Sequence, residues 1–438
     1  MSHLRSYALR TGLVVALLAT PRLATAQEVA PGSAEGDGIK VGEGTVIHPT
    51  IGLETGVVSN VFYEDSNANF AGLARVIAEF STGSLSGRRL SGPQLVSDDD
   101  PGAEQGSTTG ARSAAGGDLS YRASLRLAYE EWLSGNDNVR AQRDLAIGAN
   151  VRGVVYPRRT WSFGFEEDFV RAIRPTNFEG PGDLNRDINH VKLQLNYQPI
   201  GRTLSGFARY QNTIDVFEGD NKDFANRMQH TIGVRSEWRP FPYTMFYADA
   251  SLGFYGGLGG DSTKVSSLPL RTVIGAQSSI TVDTTVSTRV GFAKGFYSAG
   301  PDYTMAIFGA QVGHRFSPQA RATLLYDYDF QDSVNANFYR DHALRLRHDQ
   351  QIGEVVGTAD VGLIFRTYRG VLAEVMGSSP DRSDLMFTAH LGLARTLRTW
   401  LVGTIDYNFV TDQTDYMQLG DDPSYTRHEL LVGLRAAL

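Results

Sequence analysis

Charged side chains recur at alternate positions along many stretches of this 438-residue chain. Arg122, Arg126, Arg152, Glu166, Asp168, Lys192, Arg209, Arg235, Glu237 and Arg289 share that spacing, as do Arg315, Arg321, Asp327, Asp329, Arg345, Arg347, Asp360 and Arg366. Their neighbours are mostly apolar or aromatic. A period of two puts such residues on one face of a strand. Fixed cations on a low-dielectric wall attract anions passing along it. The same residues can instead pair with the interleaved acids and only hydrate the face. Both readings stay open at the level of sequence.

The elements that would carry this face are long. From Thr304 to Gln331 two arms flank Ser317-Pro318, with Phe308, Val312, Phe316, Leu324, Tyr326, Tyr328 and Phe330 on one parity. Gln311, Arg315, Arg321, Asp327 and Asp329 take the other, with small Gly309 and Gly313. Each arm runs to about a dozen residues, against about 5–6 for a soluble strand and about 9–11 for a tilted membrane-spanning one. Val191, Leu193, Leu195 and Tyr197 alternate in the same way with Lys192, Gln194, Asn196 and Gln198.

About eighteen such segments follow one another from Thr45 to Leu438, an even number as single-chain barrels require. Tight joints, among them Pro157-Arg158-Arg159, Pro240-Phe241-Pro242 and Asp283-Thr284, alternate with longer polar connections such as Pro175 to Arg186 and Arg369 to Asp384. In lipid only a sheet closed on itself satisfies every backbone N–H and C=O. The expected fold is therefore all-β, a single transmembrane antiparallel up-and-down barrel enclosing a wet lumen. Trp161 and Trp238 take the outward parity beside short turns, where an aromatic girdle belongs. Trp132 and Trp400 fall in the other phase.

Residues 1–26 read as a signal peptide: a basic start, the apolar run Gly12 to Ala19, then Ala24-Thr25-Ala26. Gln27 to Gly44 reads as a flexible periplasmic leader, and the barrel occupies 45–438. One stretch, 81–117, is rich in Ser and Gly and lacks an apolar period, so it is expected to be a loop or disordered insertion. Counting from periplasmic termini places it on the short-turn side. The expected location is the bacterial outer membrane.

Composition excludes several chemistries. Cysteine is absent, which removes disulfides, thiolate catalysis and cysteine metal sites. The net charge of −7 opposes nucleic-acid binding. Nine scattered histidines show no metal-ligand spacing, so neither a metal nor another cofactor is expected. Asp98 to Asp100 reads as a solvated run rather than a calcium site, and Gly256 to Gly260 as a supple turn rather than a phosphate cradle. His314, His342 and His348 are the positions where a serine partner would be sought on the barrel exterior. Enzymatic activity is not expected.

The segment His48-Pro49-Thr50-Ile51-Gly52-Leu53, followed by Ser59-Asn60-Val61-Phe62, resembles the N-terminal strand of the outer-membrane β-barrel porins associated with exopolysaccharide loci. The resemblance covers that strand and extends elsewhere only to architecture. It implies an exit pore for a secreted exopolysaccharide or capsular polysaccharide, with the sugar chain as transported substrate. A periplasmic polysaccharide export protein would then be its partner. The departure is at the C-terminus, which ends in Leu438 where those barrels have an aromatic residue. The alternative is a general or anion-preferring porin for small solutes, and outer-membrane lipid is the expected surround in either case.

Overall fold

The computed structural model describes residues 38–40, 46–66, 68–83, 118–173, 185–201, 203–219, 222–260, 262–333, 336–370, 382–414, 416 and 422–437. The signal, most of the leader and residues 84–117, including Asp98 to Asp100, lie outside them. The first elements are the two-residue β1 (Ile39–Lys40), β2 (Val46–Val58), β3 (Ala71–Gly83), β4 (Leu119–Leu133), the single-turn helix α1 (Asp137–Arg140), β5 (Asp144–Val155) and β6 (Trp161–Ala172). β7 (Arg186–Tyr197), β8 (Leu204–Phe217), β9 (Arg227–Phe241), β10 (Thr244–Gly257), β11 (Ser267–Ser279) and β12 (Thr284–Tyr297) follow. The chain continues through β13 (Tyr303–Ser317), β14 (Ala320–Asp332), β15 (Phe338–Ile352), β16 (Val355–Arg369), β17 (Arg382–Arg398), β18 (Leu401–Thr414) and β19 (Tyr425–Ala437).

Strands β2 to β19 pair antiparallel with their chain neighbours, and β19 returns to β2 from Glu429↔Val58 to Ala437↔Thr50. The sheet is a closed barrel of eighteen strands, as the count predicted. Closure removes the edges on which a strand would otherwise leave donors and acceptors unmade. The expected alternation also holds: Ile51, Leu53, Val151, Phe163, Leu195, Ile232, Val290, Leu346, Leu391 and Val432 are exposed on the outer face. Their neighbours turn inward.

Four expectations need correction. Ile39 and Lys40 pair with Ile47 and Val46, so ordered pairing begins inside the segment read as leader. Ser81, Thr82 and Gly83 pair with Ser124, Ala123 and Arg122, extending β3 into the stretch read as insertion. Small polar residues near a strand end carry no apolar period, but backbone pairing does not need one. Trp400 is exposed after all, because the register shifts between Thr396 and Arg398 and carries the turn outward. Phe330 was expected outside and is only 2% exposed. The ladder to β13 ends at Phe308↔Tyr328, and beyond it β14 carries Phe330 onto the Tyr303 ring, with centroids 3.6 Å apart.

The two rims differ. Tight turns close one end, where Trp161, Trp238 and Trp400 are exposed. At the other end the described segments 60–62 and Asp137–Arg140 turn buried side chains inward. Helix α1 is capped by Asn136, whose side chain accepts from the Asn138 amide at 2.9 Å. Its Val139 is buried with Val58, Val61, Leu73, Leu431 and Trp132. Trp132 thus belongs to an interior cluster of apolar side chains and not to a girdle.

Candidate functional site

The lumen wall is built from the inward parity, and glycines decide where charges on it meet. Arg289 on β12 and Asp327 on β14 both lie in register with Gly309 of the strand between them. A Cβ there would stand 2.7 Å from both Arg289 Nε and Asp327 Oδ1. Its absence lets the pair close over β13, with Arg289 Nη2 donating to Asp327 Oδ1 and Oδ2 at 2.7 Å. Gly233 of β9 faces Arg209, and a Cβ there would stand 3.1 Å from its guanidinium group, which crosses β9 to Asp249 at 2.6 and 2.9 Å.

Carboxylates answer arginines around much of the wall. Glu54 receives Arg75 at 3.0 Å and Arg435 at 2.9 Å, while Arg75 also reaches Glu130. Arg271 and Arg289 share Asp329, Arg345 meets Asp360 at 2.8 Å, and Arg235 meets Glu237 at 3.2 Å. Arg347 and Arg321 converge on Asp349. Each of these pairs joins residues of one strand or of strands at most three apart, so the charges hydrate the wall along its circumference.

At the loop end the pairs become buried and stacked on rings. Arg366, with no exposed surface, donates from Nε and Nη2 to Asp341 at 2.8 Å each and lies 3.6 Å over the Tyr339 ring. Arg382 meets Asp384 at 2.6 Å and lies 4.6 Å from the Tyr368 centroid. Arg427 pairs with Glu429 at 2.9 Å over the ring of Tyr63. Stacking and a fork-shaped bond together suit guanidinium groups and would not suit lysine. Asn60, buried to 1% exposure, clamps this region by donating to the carbonyls of Glu64 and Thr426. That is where the Asn60-Val61-Phe62 segment of the resemblance goes: it leaves the strand and folds inward.

One arc of the wall is different. Arg122 of β4 stands opposite Arg152 of β5, Arg152 opposite Glu166 of β6, and Glu166 opposite Lys192 of β7. Three cations and one carboxylate therefore form a single row across four strands. Arg126 lies two repeats away from Arg122 on the same face, opposite Glu79. Asp168, on the same face as Glu166, faces the Asn150 amide in register and is hydrogen-bonded to it.

Most residues singled out in the sequence take this wall, but Arg315 and Arg321 sit at the turn rim. They are more than half exposed and pair with Asp283 and Asp349. Sequence reasoning passed over Arg75, Arg186, Arg227, Arg271, Arg382, Arg427 and Arg435. Arg271, Arg427 and Arg435 follow the parity of their strands and were legible. Arg382 lay in a stretch read as connection. Of the three exterior histidines, His314 meets the Thr284 hydroxyl at 2.9 Å, His342 the Tyr326 hydroxyl at 2.9 Å, and His348 packs near the Phe316 ring. Among the described residues no group of three or more His, Asp or Glu side chains could hold a metal ion.

No family model and no curated protein matches the chain. Solved structures resemble it at low identity. The crystal structure of Pseudomonas aeruginosa OccK2 (OpdF) is 12% identical over 90% of this chain and 98% of its own, with a TM-score of 0.45. The same protein in complex with glucuronate gives 11%, 89% and 98%, again at 0.45. Acinetobacter baumannii OccAB3 is 11% identical over 90% of this chain and 99% of its own, at 0.42. At that distance the residues of this lumen must speak for its function.

Proposed function

We propose that this chain is an outer-membrane channel for small hydrophilic solutes that favours anions. The apolar exterior supports the location: exposed Leu, Val, Ile and Phe recur around the ring, and a surface of that extent is covered by hydrocarbon rather than water. The observation that carries the preference is the row Arg122, Arg152, Glu166 and Lys192, in which three cations stand in register with one carboxylate. A net positive row on a low-dielectric wall lowers the barrier to an anion and raises it for a cation.

The test is the reversal potential of the purified barrel in a planar bilayer under a potassium chloride gradient. Wild-type protein should favour chloride, and R122S/R152S/K192S should lose most of that preference while still conducting. Equal reversal potentials for the two proteins would refute the role of the row, and a barrel that never conducts would refute the channel.

A second reading follows from the resemblance at His48–Leu53 and Ser59–Phe62: an exit for an acidic polysaccharide handed over by a periplasmic export protein. The same row would suit sugar carboxylates. Block of the conductance by an acidic polysaccharide, with no block by small carboxylates, would favour it.

A further inference from the structure

The outer face carries three tyrosine–histidine pairs that conduction does not use. Tyr210 and His230 meet across β8 and β9, Tyr326 and His342 across β14 and β15, and Tyr407 and His428 across β18 and β19. The hydroxyl-to-Nδ1 distances are 2.8, 2.9 and 2.8 Å. In each pair the histidine stands directly opposite the residue two beyond the tyrosine: Asn212, Tyr328 and Phe409. The contact is thus the same diagonal, made three times around the ring. Each histidine also lies three or four residues inside the first residue of its strand, Arg227, Phe338 or Tyr425. All three therefore stand at one depth, just below the loop rim.

The chemistry of the pair points outward. At His230 the Asn212 amide nitrogen lies 3.2 Å from the same Nδ1. An amide nitrogen only donates, so Nδ1 must accept and the ring proton belongs on Nε2. The Tyr326 and Tyr407 hydroxyls lie against Nδ1 of His342 and His428 in the same way, and where the hydroxyl donates the ring proton is again on Nε2. These rings pack on Tyr328 at 4.3 Å and Phe409 at 4.8 Å. His342 and His428 are exposed. In that tautomer each pair presents an oriented N–H on the lipid-facing side, at the depth where headgroups begin.

We propose that these three pairs are binding sites for the phosphate groups of outer-leaflet lipids. The inference rests on the outer-membrane placement argued above, with the long loops facing outward. At that depth, on that face, a headgroup phosphate is the anion within reach, whereas solute anions travel in the lumen.

The experiment uses the full chain in phosphatidylcholine nanodiscs doped with bisphosphorylated lipid A or with the same lipid stripped of phosphate. Native mass spectrometry then counts the retained copies. Three copies of the phosphorylated form per barrel are expected, falling to none in H230F/H342F/H428F and by one in each single His→Phe variant. The single variants decide the matter if the triple variant fails to insert. Equal retention by wild type and variants would overturn the proposal. So would equal retention of the stripped lipid, or displacement of the lipid by millimolar inorganic phosphate. A barrel that inserts and conducts but ignores lipid phosphate fails this inference alone, while one that never inserts fails the placement beneath it.

Discussion

Two arcs of the same wall treat arginine in opposite ways. From β8 to β16 guanidinium groups are matched by carboxylates on neighbouring strands, often across a glycine that clears the way. From β4 to β7 two guanidinium groups confront one another in register and a lysine follows beyond a single acid. Like charges directly opposite on a sheet destabilise it. Arg315 and Arg321 also stand opposite one another, at the exposed turn rim, where each has a carboxylate beside it, Asp283 or Asp349. In the proposed channel the matched charges hold the shape of the lumen, and the row from Arg122 to Lys192 sets its preference.

The largest effect should come from breaking a matched pair where no water reaches it. D341A strands the fully buried Arg366, and removing one partner of such a pair costs about 3–5 kcal/mol. Urea unfolding in detergent micelles should show that loss, with anion preference unchanged. A midpoint equal to wild type would mean that the Tyr339 stack and the bond to the Tyr368 hydroxyl suffice to hold the guanidinium group.

Next in size is G309V, which forces a side chain between Arg289 and Asp327. Overpacking of this kind costs about 1–3 kcal/mol. G313V, four residues along the same strand, serves as its control, since a Cβ there approaches only the hydroxyls of Thr285 and Thr323. Equal losses at both sites would separate the glycine from the ion pair and undo the contrast between the arcs.

The smallest effect on stability, and the sharpest on the comparison, is R122E. Arg122 faces Arg152 on one side and Gly83 on the other, so the change turns the facing arginines into an opposite-charge pair, a gain of about 0.2–1 kcal/mol. The chloride preference should fall toward zero or reverse. Stability and selectivity would then move in opposite directions, which no purely structural role for Arg122 predicts.

Strand number, strand parity and the alternation of short and long joints were all legible, because each rests on a local period of two. Val191 to Gln198 declares its two faces without help. Which inward charges pair was not legible: Arg289 finds Asp327 only because Gly309 lies between them once three strands are in register. The loop-end interior was equally hidden. Trp132 and Phe330 are aromatic residues on barrel strands, and only the inward folding of α1 and the departure of β14 from β13 explain their burial. Arg75 shows a subtler difficulty, since Leu73 and Ile77 on its own face are apolar and blur the period.

Glu54 sits where the ring is sewn shut, with Arg435 of the final strand on one side and Arg75 of β3 on the other. Sliding the seam by a single residue would turn Glu54 and Arg435 into hydrocarbon and Leu53 and Leu434 into water. The joint between the two ends of the chain is thereby keyed, and the cylinder has one diameter and one stagger in which it can lock.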